Sequence, residues 1–479
     1  MFAPRITASY LLASPILTCL CWLGLLAGEA RATAYTWLGL GASDAWEDTL
    51  GNWDTQFYPG LVSSSDTVLF PSFNTQRYNV AVNNLLVVES IDFERPGYSF
   101  LQTGRLVVQN GIVATTENAA NWNINQSLSF GGDATVNNLT GSGFLFQYTA
   151  PGIPPSVLYV VGGESNFSGS IQDGIALSVG DGAQTASLTL NRNDSFANVY
   201  TGVTTVNANA TLIAGTADAL GASSAHVING ILSLSGSSTI GGLSGAGQVN
   251  LGSNTLTIDG GGDFSGAING SGGLIKSGTG ELSLSGANGF NGGAIVKGGE
   301  LAVNRSILGG VTVQSGGTLG GIGTIGGAVT VESGGALSPG NSPGQITLSS
   351  DLTMNGGSTL SMQFGGAGAG LYDQLDVQGH FTAGGSLSLD LINGFTPLKG
   401  ESFTIFNGGA PGFDAGSFTI DTNLGSGLHW DTSALASTGV VTVVPEPSTS
   451  ALWILGAAGV FARRRVLKNA YAAHSKLDA

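Results

Sequence analysis

Cysteine is almost absent from this sequence. The 479-residue chain has only Cys19 and Cys21, which lie close together near its N-terminus. The remaining residues therefore offer no disulfide, no thiol nucleophile and no cysteine-ligated metal site. We expect stability to come from apolar burial and backbone pairing alone.

Positive charge is also scarce. Between Thr33 and Val444 there are 8 Lys and Arg against 28 Asp and Glu, a net charge near −20. Binding to nucleic acid needs clustered Lys and Arg, so no nucleic-acid partner is predicted. A strongly acidic surface favours solubility.

The first 32 residues are typical of a secretory signal peptide. Arg5 gives a short positive region, residues 11–27 are largely apolar, and Ala30-Arg31-Ala32 forms a small-x-small cleavage site. We expect signal peptidase to recognise Ala30 and Ala32 and to cut after residue 32, once the general export machinery has engaged residues 1–32. Ala32-Thr33-Ala34 is a nearby alternative site. The alternative is an uncleaved anchor helix, against which Pro15 argues.

Glycine, in contrast, is abundant. The 78 glycines follow no three-residue period, which excludes collagen, and Val, Ile, Leu and Phe recur between them, which excludes a flexible linker. Glycine at this density marks tight turns between many short strands. The fold class predicted is all-β.

Internal repeats indicate how the strands are arranged. The segment 313–319 recurs at 331–337, and Leu301 precedes Leu319 by the same step of about 18 residues. A longer unit relates 166–171 to 263–268 and 200–206 to 290–296. This pattern predicts a parallel β-helix (solenoid) over residues 161–350, flanked by a β region with a cap at 33–160 and a β region at 351–444. The alternative is a string of β-sandwiches.

These repeats resemble the autotransporter-associated β-strand repeat of bacterial surface proteins. The resemblance is clearest over 272–304, and the segments 337–344 and 372–375 resemble what often follows such repeats. Trp37, Trp46 and Trp53 resemble the usual opening of these proteins, and we expect them to cap the first coil. The resemblance implies a fold rather than an activity.

The C-terminal region has an ordered series of features. Val444-Pro445-Glu446-Pro447-Ser448 is followed by an apolar run at 451–462 and then by three arginines. Prolines favour an extended segment, and arginines hold the end of an apolar helix on the cytoplasmic side. The apolar run is shorter than the roughly 17–25 residues of a usual spanning helix, so a buried helix is the alternative.

This series resembles the PEP-CTERM sorting signal, here residues 445–465 followed by a basic cytoplasmic tail at 466–479. The resemblance implies that an exosortase recognises Pro445, Glu446 and Pro447. It also implies that a single transmembrane helix is a transient inner-membrane anchor, with Arg463, Arg464 and Arg465 as the membrane stop. The tail beyond Arg465 is longer than the family usually has.

The candidates for catalysis are few. Carboxylates approach one another in sequence only at three places, each interpreted as a solvated turn: Asp373 with Asp376, Asp92 with Glu94, and Asp44 with Glu47 and Asp48. The four histidines, at 226, 380, 429 and 474, are isolated. We therefore predict no catalytic, cofactor-binding or metal-binding residue. The alternative is a secreted β-helical polysaccharide-degrading enzyme, a lyase or glycoside hydrolase.

The function expected is that of a non-enzymatic structural or adhesive protein. It would cross the inner membrane of a Gram-negative-type bacterium and act at the cell surface or in the extracellular matrix. The sorting-signal resemblance implies exopolysaccharide as a partner and a role in biofilm. Tyr200 and Phe290 are candidates for exposed aromatics that stack on sugars; core packing is the alternative for both.

Overall fold

The computed structural model describes residues 34–36, 67–70, 79–82, 86–93, 99–102, 106–114, 120–124, 127–130, 133–147, 156–172, 174–191, 198–408, 418–420, 422–425 and 427–446. These residues form short β-strands and one helix of four residues. The chain divides into two compact units, a first unit of Met1–Ser238 and a second unit of Thr239–Ala479.

The described strands of the first unit are β1 (Ala34–Thr36), β2 (Thr67–Phe70), β3 (Asn79–Val82), β4 (Leu86–Phe93), β5 (Ser99–Gln102), β6 (Leu106–Ala114), β7 (Ala120–Ile124), β8 (Ser127–Phe130), β9 (Ala134–Gly141), β10 (Phe144–Gln147), β11 (Ser156–Val160), β12 (Gly163–Phe167), β13 (Ser170–Ile171), β14 (Ile175–Val179), β15 (Ala186–Leu190), β16 (Thr204–Val206), β17 (Ala210–Ala214), β18 (Ala225–Ile228) and β19 (Ile231–Leu234).

These strands stack in parallel ladders. One ladder runs β1-β2-β4-β6-β8-β10-β13, and a second runs β3-β5-β7-β9. Strand β9 pairs with β11 and β12, from which the ladders β11-β14-β16-β18 and β12-β15-β17-β19 continue. Each strand pairs with one that follows it by one to three strands in the chain, as expected when each turn of a solenoid lies on the preceding turn.

The described strands from residue 238 onward are β20 (Ser238–Ile240), β21 (Gly242–Ser244), β22 (Gln248–Gly252), β23 (Leu256–Ile258), β24 (Gly262–Phe264), β25 (Ala267–Gly270), β26 (Leu274–Lys276), β27 (Glu281–Leu284), β28 (Ala287–Asn288), β29 (Ala294–Val296), β30 (Gly299–Val303), β31 (Ser306–Ile307), β32 (Val311–Val313), β33 (Gly317–Gly321), β34 (Thr324–Ile325), β35 (Val329–Val331), β36 (Ala336–Pro339), β37 (Gln345–Leu348), β38 (Leu352–Met354), β39 (Thr359–Phe364), β40 (Gln374–Val377), β41 (Phe381–Thr382), β42 (Gly385–Leu391), β43 (Ser402–Thr404), β44 (Phe406–Asn407), β45 (Phe418–Ile420), β46 (Asn423–Gly425), β47 (Leu428–Asp431) and β48 (Val440–Pro445), with helix α1 (Leu435–Thr438) before β48.

Three parallel sheets wall the second unit. Sheet 1 has the order β20-β23-β26-β29-β32-β35-β38-β41, and sheet 2 has the order β24-β27-β30-β33-β36-β39-β42-β45. Sheet 3 has the order β28-β31-β34-β37-β40-β44. Each turn therefore adds one strand to each sheet, which is the architecture of a parallel β-solenoid.

The period-2 alternation of short strands explains the core of this solenoid. In β32, Val311 and Val313 are buried while Thr312 between them is half-exposed, because successive side chains of a strand point to opposite faces. Stacking places equivalent residues directly above one another. One inward column of leucines, each no more than 1% exposed, follows sheet 2 through Leu282, Leu301, Leu319, Leu337, Leu360 and Leu387.

Glycine pairs make the corners between sheets 1 and 2. Gly316 and Gly334 have φ of 86° and 81°, a region that favours glycine. The Gly316 N–H donates to the Gly334 carbonyl one turn on, at 2.9 Å. A Cβ on the following Gly317 would lie 2.5 Å from the Val296 carbonyl oxygen, so the close approach of stacked corners also requires glycine.

A small antiparallel sheet, sheet 4, follows the last turns of the second unit in the order β43-β48-β47-β46. It packs through aromatic rings: Phe403 and Trp430 lie 5.1 and 4.9 Å, centroid to centroid, from Phe364 of β39. Helix α1 leads into β48 through Gly439, whose φ is 71°. The expected β region after residue 351 thus includes both solenoid strands and this sheet.

The parallel ladders confirm the predicted all-β solenoid, and the β-sandwich alternative is wrong. The predicted 18-residue step is confirmed, because Leu301, Leu319 and Leu337 are register partners in successive strands. The predicted signal peptide, the tryptophans at 37, 46 and 53, and the predicted transmembrane helix lie outside the described residues. The proposed boundary near residue 350 falls within one ladder, since β35 and β38 are neighbours.

Candidate functional site

The two aromatic side chains considered for sugar stacking lie in the core. Tyr200 and Phe290 are each 0% exposed. The Tyr200 hydroxyl accepts a hydrogen bond from the Thr204 hydroxyl at 3.3 Å, and burial raises the pKa of the phenol. The expectation of exposed stacking aromatics is therefore wrong, and the alternative of core packing is confirmed.

A buried polar network surrounds Tyr200 in the first unit. Thr204 Oγ1 also lies 3.3 Å from Ser224 Oγ, which donates to the Gly202 carbonyl at 2.5 Å. His226, the register partner of Thr204, is fully buried, and its Nδ1 donates to the Ser224 carbonyl at 3.0 Å. Burial lowers the pKa of His226 to about 4, so its ring is neutral at neutral pH. The network has no exposed face for a substrate.

Two buried asparagines occupy equivalent places before Tyr200 and Phe290. Asn198 Oδ1 accepts from the Ile171 N–H at 2.8 Å, and its amide donates to the Ala219 carbonyl at 2.7 Å. Asn288 likewise accepts from the Ile268 N–H at 3.0 Å and donates to the Ser306 carbonyl at 3.1 Å. Each side chain links the turn before it to the turn after it. The sequence analysis assigned no role to either residue.

Lys276 is a buried cation in the second unit. It takes an inward position in sheet 1, where its register partners are Ile258 and Val296, and is 0% exposed. Its Nζ donates to the carbonyl oxygens of Ser277, of Gly278 at 3.1 Å and of Gly298 at 3.3 Å. Burial lowers the pKa of the ammonium, and the charge of Asp259 opposes that shift. The ammonium thus satisfies backbone acceptors at a corner of the solenoid.

Asp373 is the most enclosed carboxylate in the described part of the chain, at 0% exposure. Its Oδ1 accepts from the Gly344 N–H and its Oδ2 from the Gln363 N–H, each at 2.8 Å. The backbone adds two bonds, from the Asp373 N–H to the Gln363 carbonyl at 2.8 Å and from the Gln374 N–H to the Gly344 carbonyl at 2.9 Å. The two segments that resembled the region following the repeats, 337–344 and 372–375, are therefore joined at this carboxylate.

The interpretation of Asp373 as a solvated turn residue is wrong. Burial raises the pKa of its carboxyl to about 6, although both backbone hydrogen bonds lower it. A raised carboxyl pKa is a common sign of a catalytic acid. Here both carboxylate oxygens accept hydrogen bonds from backbone N–H groups inside the fold. Asp373 therefore fixes the loop that contains Gly344 against Gln363.

Other ionisable groups do not converge. Among the described residues, no three or more His, Cys, Asp or Glu side chains are placed to hold a metal ion. Glu281 and Glu300 are register partners in sheet 2, and burial and then the Glu281 charge raise the pKa of Glu300. Asp376 lies in β40 and Asp92 in β4, whereas Asp44, Glu47, Asp48, Glu94 and His474 lie outside the described residues.

The outward faces of the second unit are regular. From β23 to β38, the middle residue of each sheet 1 strand points outward. These residues are half-exposed register partners: Thr257, Ile275, Ile295, Thr312, Thr330 and Thr353. We call this set the threonine column. Sheet 3 carries a comparable outward set, in which Ser306, Thr324 and Thr347 are register partners.

The predicted sorting residues are partly within the described structure. Pro445 is the last residue of β48 and Glu446 follows it, and both side chains are exposed. Pro447, the arginines at 463–465 and the predicted cleavage residues Ala30 and Ala32 lie outside the described residues. Within the described residues, no helix is long and apolar enough to cross a membrane.

Comparison with known proteins matches one part of the chain. The family model of the passenger-associated-transport-repeat matches residues 274–303, which contain β26 to β30. This confirms the resemblance over 272–304 to an autotransporter-associated β-strand repeat. No curated protein matches the chain, and the sorting signal stays a prediction. A solenoid with one such repeat fits an exported surface or passenger-type protein.

Proposed function

We propose that the chain is a non-enzymatic structural or adhesive protein of the bacterial surface or extracellular matrix, held by exopolysaccharide in a biofilm. Signal peptidase, the export machinery and an exosortase would deliver it, with a transient inner-membrane anchor. The observation that carries the proposal is the threonine column. In this column each strand contributes one threonine or isoleucine side chain, and successive strands lie about 4.8 Å apart.

The distribution of ionisable groups supports the same proposal. His226, Lys276 and Asp373 are enclosed. Lys276 and Asp373 bond to the backbone of a stacked turn, at Gly298 and Gly344, whereas His226 bonds to the carbonyl of Ser224 in its own turn. These three ionisable side chains are thus bonded to backbone groups inside the fold. The threonine column is what the second unit offers to a regular polymer, through hydroxyl groups that bond to sugars.

Retention on a polysaccharide tests the proposal. The purified chain should be retained on insoluble exopolysaccharide prepared from the producing cells. The double variant Thr312→Glu, Thr330→Glu replaces two neighbouring hydroxyl groups of the column with like charges. It should reduce retention roughly tenfold or more, because covering an unpaired carboxylate with a polymer is costly. The matched control is Thr324→Glu, Thr347→Glu, the same change at two register partners of sheet 3.

Equal loss in both double variants would contradict a role for the threonine column, and no retention of the unmodified chain would contradict adhesion. The enzyme alternative has a separate test. A polysaccharide lyase or hydrolase would release unsaturated or reducing sugar from a panel of acidic polysaccharides, and we expect no release.

A further inference from the structure

The strand that leads into the predicted sorting signal is a central strand. β48 pairs with β43 on one side and with β47 on the other. On the β47 side the pairing continues to its end, with His429 opposite Val444 and Leu428 opposite Pro445. The Glu446 N–H then donates to the Gly427 carbonyl at 2.8 Å. The first residues of the signal therefore belong to sheet 4.

Sheet 4 is well anchored to the second unit. Val441 and Val443 of β48 are each 0% exposed. The Val443 N–H donates to the Glu401 carbonyl at 2.9 Å, and the Val443 carbonyl accepts from the Gly400 N–H at 2.8 Å. Trp430, opposite Val443, is 2% exposed and packs on Phe364. Releasing β48 would therefore break its pairing with β43 and β47 and also expose packed aromatic rings.

At the end of β48 the side chains are accessible to solvent, but the backbone is hydrogen-bonded. The side chains of Pro445 and Glu446 are exposed, whereas the backbone of residues 440–446 is bonded within sheet 4. Peptide-cleaving enzymes commonly bind their substrate as an added extended strand, through free backbone N–H and carbonyl groups. Residues 440–443 are bonded on the β43 side, and residues 442–446 are bonded on the β47 side. This segment therefore cannot pair with an enzyme along those bonded edges without leaving sheet 4.

We propose that sheet 4 restricts processing of the sorting signal to peptide bonds beyond Glu446. Pro445 and Glu446 then serve recognition through their side chains, while the scissile bond lies C-terminal to them. The proposal rests on the proposed function, because it assumes that the signal is cleaved. Its consequence is that the released protein keeps β48 whole. A cut before Val444 would instead remove the pairing with Leu428 and His429.

The intact mass of the protein released from producing cells tests this placement. The expected C-terminal residue is Glu446 or a residue beyond it. A C-terminus at or before Pro445 would overturn the proposal. A chain that still ends at Ala479 would contradict cleavage in the proposed function. Whether sheet 4 shields residues 440–446 is then tested by a second measurement, which does not depend on an exosortase.

That measurement is limited proteolysis of the purified full chain by proteinase K, followed by mass analysis. Bonds within 440–446 should resist, and the first C-terminal cuts should lie beyond Glu446. Trp430→Ala should speed cutting within 440–446 at least about tenfold, because local opening then becomes easier. Trp122→Ala, the same change at a buried tryptophan of the first unit, should not.

Hydrogen exchange on the unmodified chain covers the case in which Trp430→Ala does not fold. The amides of Val443 and Glu446 should exchange slowly, as their hydrogen bonds require. Rapid exchange at both amides, or cutting within 440–446 as fast as beyond it, would overturn the proposal.

Discussion

The two units both bury ionisable side chains, but they accommodate them differently. In the first unit, the Tyr200 hydroxyl bonds to the Thr204 hydroxyl, and the neutral His226 ring bonds to the Ser224 carbonyl. In the second unit, the side chain of Lys276 reaches only backbone groups in the bonds described, and Asp373 does the same. A solenoid core therefore accepts a polar side chain where its polar atoms reach either a hydroxyl or the backbone of a corner.

The equivalent asparagines show what the units share. Asn198 and Asn288 each join one turn to the next through backbone N–H and carbonyl groups. Each is followed two positions later by a buried aromatic ring, Tyr200 or Phe290. The comparison indicates that the long repeat conserves its backbone contacts while its core chemistry varies from one unit to the other.

The largest effect should come from reversing the buried charge. Lys276→Glu places a carboxylate against three carbonyl oxygens, and should lower the free energy of unfolding by about 3–5 kcal/mol. The matched control is Lys297→Glu, the same change at an exposed residue one turn on, which should stay within about 0.5 kcal/mol. Chemical denaturation measures both. Equal effects would show that the Lys276 ammonium is not held by the corner.

A smaller effect is expected at the carboxylate that fastens the loop. Asp373→Asn should cost roughly 1–3 kcal/mol, because an amide NH₂ then faces a backbone N–H. Hydrogen exchange of the Gly344 and Gln363 amides should speed up in the variant. Asp390→Asn serves as control, since this exposed residue accepts from the Ser361 and Ser388 hydroxyls and its variant keeps an acceptor. Unchanged exchange in Asp373→Asn would contradict the fastening role.

The equivalent aromatic positions should respond asymmetrically. Tyr200→Phe removes the hydroxyl that bonds to Thr204 and to the Gly221 backbone, and should cost about 0.5–1.5 kcal/mol. Phe290→Tyr adds a hydroxyl to a side chain that is 0% exposed, and should cost about 1–3 kcal/mol. The free energies of unfolding from denaturant titration decide the order. A greater cost for Tyr200→Phe than for Phe290→Tyr would contradict this order. It would show that the Tyr200 hydroxyl stabilises the first unit by more than a new buried hydroxyl destabilises the second.

The units should also respond oppositely to mild acid. The pKa of His226 is about 4 in the fold against an ordinary 6.5, so its contribution to stability is present above pH 6.5 and is lost as the pH falls toward 4. The pKa of Asp373 is about 6 against 3.8, so its contribution is present below about pH 4 and is lost as the pH rises through 6.

Hydrogen exchange between pH 4 and 6, corrected for intrinsic rates, measures this opposition. Acidification should speed exchange at turns around His226 and slow it at Gly344 and Gln363. His226→Gln and Asp373→Asn should each abolish the pH dependence in their own region. The same sign of change in both regions would contradict the opposition.

The regular part of the fold could be predicted because it depends on local repetition. The step from Leu301 to Leu319 and Leu337 appears in the sequence and becomes a register column in the structure. The repeat over 274–303 was recognisable for the same reason. Sheet 4 was not predicted, because its antiparallel strands do not belong to any of the sequence repeats.

The polar interior could not be predicted from sequence spacing. Lys276 and Asp373 look like surface residues in the sequence, and their partners are backbone groups that carry no residue signature. Tyr200 and Phe290 flank glycine-rich turns, where inward and outward positions cannot be assigned by alternation. One signal was useful. The alignment of 200–206 with 290–296 places Tyr200 and Phe290 at the same position of the repeat, and both carry an aromatic ring.

The register stacking behind the threonine column can be measured directly by the distance between two spin labels. The only native cysteines, Cys19 and Cys21, lie in the predicted leader, so Thr257→Cys and Thr353→Cys can be labelled selectively in the mature chain. The two positions are five strand steps apart in sheet 1, which predicts a narrow distribution centred at about 24 Å. A broad distribution, or one centred beyond about 35 Å, would contradict the in-register solenoid.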